Sequence, residues 1–167
     1  GDGAGVGKGR QLAGTILENW LCGRTKHIWL SISNDLVEDA SRDLDDLRRG
    51  ANGRKSGGGE GKKVQQIEVF ALKDQPYGKI SHSEGVCFGT YASLIAAKRG
   101  PGGAKSKATS RMHQIAKWAG GEKFDGCLLF DECHKAKNLG AHPPTKVGLA
   151  VAEIQELLPN ARVIYCP

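Results

Sequence analysis

The run Cys127-Leu128-Leu129-Phe130, closing on Asp131-Glu132, constrains the fold more than any other stretch of this chain. An unbroken apolar run of this length, without polar alternation, reads as a strand buried on both faces, the usual state of a parallel strand between helix layers. The two adjacent acids at its carboxyl end then stand where open α/β sheets bind their ligands.

The rest of the chain supplies the partners such a strand needs. Strand-like runs at 27–32, 67–72, 86–89 and 162–165 alternate with helix-like runs at 10–21, 35–47, 110–119 and 145–158. This alternation predicts an α/β fold, a mostly parallel sheet with helices on both faces. The last helix is punctuated by Thr145 as its N-cap after Pro143-Pro144, and by Pro159 just past its end. Its positions Val147, Val151, Ile154 and Leu158 follow helical spacing and read as core, and Leu12, Ile16, Leu17, Trp20 and Leu21 fall on one face of the first helix. At 167 residues, 39% of them hydrophobic, the chain has the material for one core.

The amino end has a different character. Gly3, Ala4, Gly5, Val6, Gly7, Lys8, Gly9 and Arg10 form a glycine-rich stretch that leads into the first helix. Polyphosphate is densely charged, and several backbone N–H groups can converge on it only where side chains are small or absent. Lys8 adds a point charge for the terminal phosphates, and the helix that follows turns its positive dipole end to the anion. The dinucleotide fingerprint Gly-x-Gly-x-x-Gly is not met: its last position falls on Val6, Lys8 or Arg10 according to frame. The phosphate-loop pattern Gly-x-x-x-x-Gly-Lys-Ser/Thr is met with two departures, Asp2 at the first glycine and Gly9 where a hydroxyl normally binds Mg²⁺. Taken alone, such a stretch also fits a flexible leader; the acidic strand end favours the phosphate reading. ATP and Mg²⁺ are the expected cofactors, with Asp131 holding the metal through water, Glu132 polarising the attacking water and His134 coupling the site to a neighbouring element.

These residues carry a family resemblance. The chain resembles superfamily 2 helicases of the Asp-Glu-x-His type and, within them, the strawberry notch family, through stretches 1–14, 27–47, 77–95, 123–139 and 144–165. The glycine after the loop lysine is similar to that family's own pattern. The resemblance implies a RecA-like P-loop NTPase lobe and a nuclear transcription or chromatin co-regulator that acts with DNA or RNA. It also implies a strand and an adenine-contacting segment before the loop, a Ser-Ala-Thr motif after the last strand, and a second RecA-like lobe. The chain is therefore expected to be an incomplete lobe, 1–167, with little activity by itself.

Charge is distributed unevenly. Residues 48–63 and 98–110, together with the adjoining Arg111, hold eleven of the cationic side chains and one acid, which exceeds the net +6 of the whole chain and leaves the remainder acidic. Both stretches are rich in Gly and Ser and read as flexible inserts, either attached to phosphate backbones or simply solvated. Better-placed candidates for nucleic-acid contact are Ser33 and Asn34, between a strand and a helix, and Thr90 and Tyr91 in the equivalent place; plain helix caps are the alternative. The acidic helix over 35–46 reads as a solvated face. Cys22, Cys87, Cys127, Cys133 and Cys166 form no Cys-x-x-Cys pair, fit no zinc spacing, and suit a reducing compartment. No apolar stretch approaches the roughly 20 residues of a membrane span, so no membrane partner is expected. Two other readings remain open: a nucleotide-gated interaction module with little turnover, and an inactive gene fragment.

Overall fold

A computed structural model describes residues 7–53, 63–99, 105–135 and 145–167. In chain order its helices and strands are α1 (Lys8–Leu21), β1 (Lys26–Ser31), α2 (Val37–Gly53), β2 (Val69–Ala71), β3 (Gly85–Thr90), α3 (Tyr91–Leu94), β4 (Ala97–Arg99), β5 (Lys105–Ser110), α4 (Arg111–Ala119), β6 (Cys127–Asp131), α5 (Lys146–Leu157) and β7 (Arg162–Cys166). Five strands form one sheet in the order β2-β3-β1-β6-β7, with every pair parallel. The α/β architecture expected from the alternation is present. The small antiparallel pair β4-β5 stands apart from it.

Strand periodicity builds two cores, one on each side of the sheet. Ile28, Leu30, Leu128 and Phe130 face Leu94, Ile115 and Ile154 from the layer of α3, α4 and α5. Their neighbours Trp29, Cys127 and Leu129 face the other way, onto Leu12 and Ile16 of α1 and Leu44 of α2. Each fully buried Leu or Ile contributes about 1.5–3 kcal/mol relative to exposure, so β1 and β6, apolar on both faces, anchor both layers. Val151 and Ile154 on α5 and Leu158 at its C-cap are buried, and Val147 packs at the edge of the same cluster, as the spacing predicts. Leu21 closes the last turn of α1 and is 61% exposed.

One buried polar residue ties two central strands together. His27 on β1 accepts the Cys127 N–H at Nδ1 (3.0 Å), and its Nε2 lies 2.7 Å from the Arg24 carbonyl oxygen. Nδ1 accepts only while the ring is neutral, and burial lowers the His27 pKa from 6.5 to about 4. In the unfolded chain the ring takes up its proton near pH 6.5, whereas in the folded chain it does so only near 4. Its contribution is therefore present above pH 6.5 and is lost as pH falls towards 4, by up to about 3 kcal/mol. Urea unfolding from pH 7.5 to 4.5 should show this loss, and His27→Gln should flatten that part of the profile.

Both basic segments carry regular structure at their described ends. Residues 48–53 complete α2, because Asp45 pairs with Arg48 at 2.6 Å and Arg49 at 2.7 Å, one helical turn away. Asn52 then grips Val64 by both backbone groups, accepting its N–H (2.9 Å) and donating to its carbonyl (3.0 Å). Residues 105–110 form β5, and Ser110 caps α4 by accepting the His113 N–H at 3.2 Å. The inner parts, 54–62 and 100–104, lie outside the described residues.

Candidate nucleotide site

At the carboxyl edge of the sheet a cavity of about 380 Å³ is lined by Gly7, Lys8, Gly9 and Arg10, by Asp131 and Glu132, by Trp29, and by Leu36, Asp39, Ala40, Arg42 and Asp43. The glycine-rich stretch and the acidic strand end, more than 120 residues apart in sequence, therefore meet. Gly3, Ala4, Gly5 and Val6 lie outside the described residues.

Gly7 is the N-cap of α1, with φ at 127°, a backbone conformation that side-chain-bearing residues rarely adopt. Among the described residues no side chain caps this helix and no acid stands in its first turn, an arrangement that suits an anion. The Lys8 ammonium donates to the carbonyl oxygen of Pro167, which brings the segment after β7 to the same place. Gly9 is hemmed in: a Cβ added there would lie 2.7 Å from Asp43 Oδ2. Arg10 stands on the exposed rim, 4.0 Å from Asp46.

Asp131 ends β6 with its carboxylate held from two sides. Ser31 Oγ, at the end of β1, donates to Oδ2 (3.2 Å), and the Glu132 N–H donates to Oδ1 (3.0 Å). Glu132 itself has φ at 51°, which makes it the one described non-glycine residue with positive φ. Such a conformation costs about 1–3 kcal/mol, and residues held in one cluster at functional sites. Glu132 Oε2 lies 3.4 Å from His134 Nδ1, on the 3-10 turn that follows.

Tyr91 connects the helix layer to this corner. It is only 5% exposed, stacks on Phe130 with ring centroids 6.4 Å apart, and donates its hydroxyl to the Asp131 carbonyl at 2.7 Å. Burial pushes its phenol above the usual range. Thr90 is 7% exposed, and its hydroxyl accepts the Ser93 N–H (3.1 Å) in a capping box. Both side chains are turned inward, Thr90 into the cap of α3 and Tyr91 against Phe130. Tyr91→Phe should cost about 1 kcal/mol in urea unfolding, from loss of the bond to Asp131. Ser33 caps the turn Asn34–Leu36 by accepting the Asp35 N–H at 3.2 Å, and Asn34 is half-buried beside it.

The acidic helix also differs from expectation. Ala40 and Leu44 bury one face of α2, while Asp39 and Asp43, one turn apart, border the cavity. Trp29 and Asp43 are thus site residues that sequence reasoning missed. Trp29 is 2% exposed, and among the described residues its indole N–H has no hydrogen-bond partner.

A lysine-bearing helix N-terminus set against paired acids at the end of a parallel strand is the arrangement of a P-loop NTPase domain. The family model for "P-loop containing NTP hydrolase pore-1" matches residues 1–167, and the chain belongs to that family. It is similar to Protein strawberry notch homolog 1 of Gallus gallus, 48% identical over 174 residues that cover 99% of this chain and 12% of that protein. Protein strawberry notch of Drosophila melanogaster is also 48% identical over 174 residues, 99% of this chain and 9% of that protein. For Protein strawberry notch homolog 2 of Homo sapiens the figures are 49% over 165 residues, 99% and 10%. The resemblance read from the motifs thus holds along the whole chain, which spans about a tenth of the length of these relatives. No solved structure matches the chain.

Proposed function

We propose that this chain is the nucleotide-binding part of a helicase-like motor that binds ATP with Mg²⁺ and hydrolyses it. The observation that carries this reading is the shared cavity, in which Gly7–Arg10 stand opposite Asp131 and Glu132. The chain's own groups suit a nucleotide with its metal. The N-terminus of α1 and the Lys8 ammonium suit phosphate. The carboxylates are hard oxygen donors of the kind Mg²⁺ prefers. Bound Mg²⁺ would neutralise phosphate charge during the reaction.

In this reading Lys8 binds the terminal phosphates. Asp131 is fixed by Ser31 and by the Glu132 N–H to face the metal. Glu132, held in its strained backbone conformation, takes the proton of the attacking water. His134 contacts Glu132 and reports the state of the site to whatever packs beside it. Ser33 and Asn34 offer backbone N–H groups to a nucleic-acid phosphate.

The resemblance carried by the motifs implies a wider proposal, a nuclear protein of transcription or chromatin acting on DNA or RNA with a second RecA-like lobe. ATPase assays of the full protein, with and without DNA or RNA, test it. Nucleic-acid-stimulated turnover is expected; tight ATP binding without turnover under any of these conditions would favour a nucleotide-gated interaction module.

A further inference from the structure

The hydroxyl that normally follows the loop lysine is missing, and the space it would occupy is not empty. Gly9 has no side chain, and Asp43 Oδ2 from α2 stands 2.7 Å from the point where its Cβ would be. We propose that the Asp43 carboxylate takes the place of that hydroxyl as an oxygen donor to the divalent cation that accompanies the nucleotide, directly or through one water. The inference rests on reading the cavity as a nucleotide site and names the group that completes it.

Three observations support it. Asp43 lines the same cavity as Lys8 and Asp131, so it shares one space with the lysine proposed for phosphate and the carboxylate proposed for the metal. Its helix is fixed: Ala40 and Leu44, on either side of it in sequence, are buried in the core shared with Leu12, Ala13 and Ile16 of α1. Of the acids on α2, Asp39 is matched by Arg42, Asp45 by Arg48 and Arg49, and Asp46 by Arg10, whereas among the described residues Glu38 and Asp43 pair with no arginine, and of these two only Asp43 lines the cavity.

Electrostatics then decides the sign. A carboxylate beside a phosphate loop repels a bare nucleotide, because like charges a few ångströms apart cost several kcal/mol at the dielectric of a protein surface. The same carboxylate becomes favourable once a cation lies between it and the phosphates. Among the described residues no three metal-ligating side chains cluster. Two carboxylates, with phosphate oxygens and water filling the other positions, is the ordinary donor set for Mg²⁺, which retains much of its water.

The test is calorimetric titration of the full protein with ADP, once in Mg²⁺ and once in EDTA. For Asp43→Asn, affinity in Mg²⁺ should fall about 10–100-fold, while affinity in EDTA holds or rises because a repelling charge is gone. The double variant Gly9→Ser with Asp43→Ala restores a hydroxyl, makes room for it, and should recover part of the Mg²⁺ dependence. Mn²⁺ in place of Mg²⁺ gives a second readout, a paramagnetic resonance spectrum that changes in Asp43→Asn bound to ADP. If Asp43→Asn keeps the wild-type ratio of affinities in Mg²⁺ and EDTA, or loses both equally, Asp43 is not a cation ligand. Absence of ADP binding by the wild type in both media would instead overturn the nucleotide reading itself, and this inference with it.

Discussion

Glu132→Gln should leave ATP affinity within a few-fold of wild type and lower the hydrolysis rate of the full protein about a hundredfold to ten-thousandfold. The substitution keeps the size of the side chain and a hydrogen-bonding end, and it removes only the charge able to take a proton from water. The backbone at Glu132 supports this expectation. Its φ of 51° and the bond from its N–H to Asp131 Oδ1 aim the side chain by main-chain geometry, which the substitution does not touch. Contact with His134 at 3.4 Å should weaken, since the pair loses its charge. Rapid-quench measurement of ATP cleavage, beside equilibrium binding, separates the two effects. Equal cleavage by wild type and variant would remove Glu132 from the chemistry and leave Asp131 and Glu132 as a structural corner.

Lys8→Ala is expected to weaken binding of both ATP and ADP by about tenfold to a hundredfold, the range set by loss of one charge-assisted bond to phosphate. A stability change could imitate a binding defect, so the unfolding midpoint without nucleotide belongs beside the titration. Lys8→Arg keeps the charge but not the point geometry and should fall between wild type and Lys8→Ala. Unchanged affinity in Lys8→Ala would show that the N-terminus of α1 is not where phosphate binds.

The sequence discloses the central strands and the ends of the site, and the reasons are physical. β1 and β6 bury side chains on both faces, so they stand out as continuous apolar runs, and Thr145 and Pro159 mark α5 by chemistry that depends on a few neighbouring residues only. Lys8 and the Asp131-Glu132 pair are legible for the same reason: each sits at the end of an element whose type is evident. What stays hidden depends on contacts distant in sequence. Asp43 looks like one more acid on a solvated helix, and only the packing of α1 against α2 brings it to Gly9. The one hint in the sequence is the missing hydroxyl at Gly9, which leaves a donor to be found elsewhere.

Tyr91 shows the opposite limitation. Its place after a strand suggests a surface contact, but a helix as short as Tyr91–Leu94 has too few turns to reveal which side faces inward. Its bond to Asp131 therefore appears only in three dimensions. The end of α2 was obscured by composition: Arg48, Arg49, Gly50 and Asn52 resemble a basic loop, yet the Asp45 pairs and the double bond of Asn52 to Val64 carry the helix on to Gly53. The pairs with Arg48 and Arg49 also hold the Asp45 carboxyl below its usual range, with the Arg48 hydrogen bond as the largest cause.

Hydrogen–deuterium exchange of the full protein with and without ADP and Mg²⁺ tests most directly whether the glycine-rich stretch and the acidic strand end form one nucleotide site. Slower exchange on nucleotide addition is expected together at residues 7–14 and 129–134, with a smaller effect at 39–44 on α2. Saturating nucleotide that protects only one of the first two stretches, or neither, would contradict the shared site.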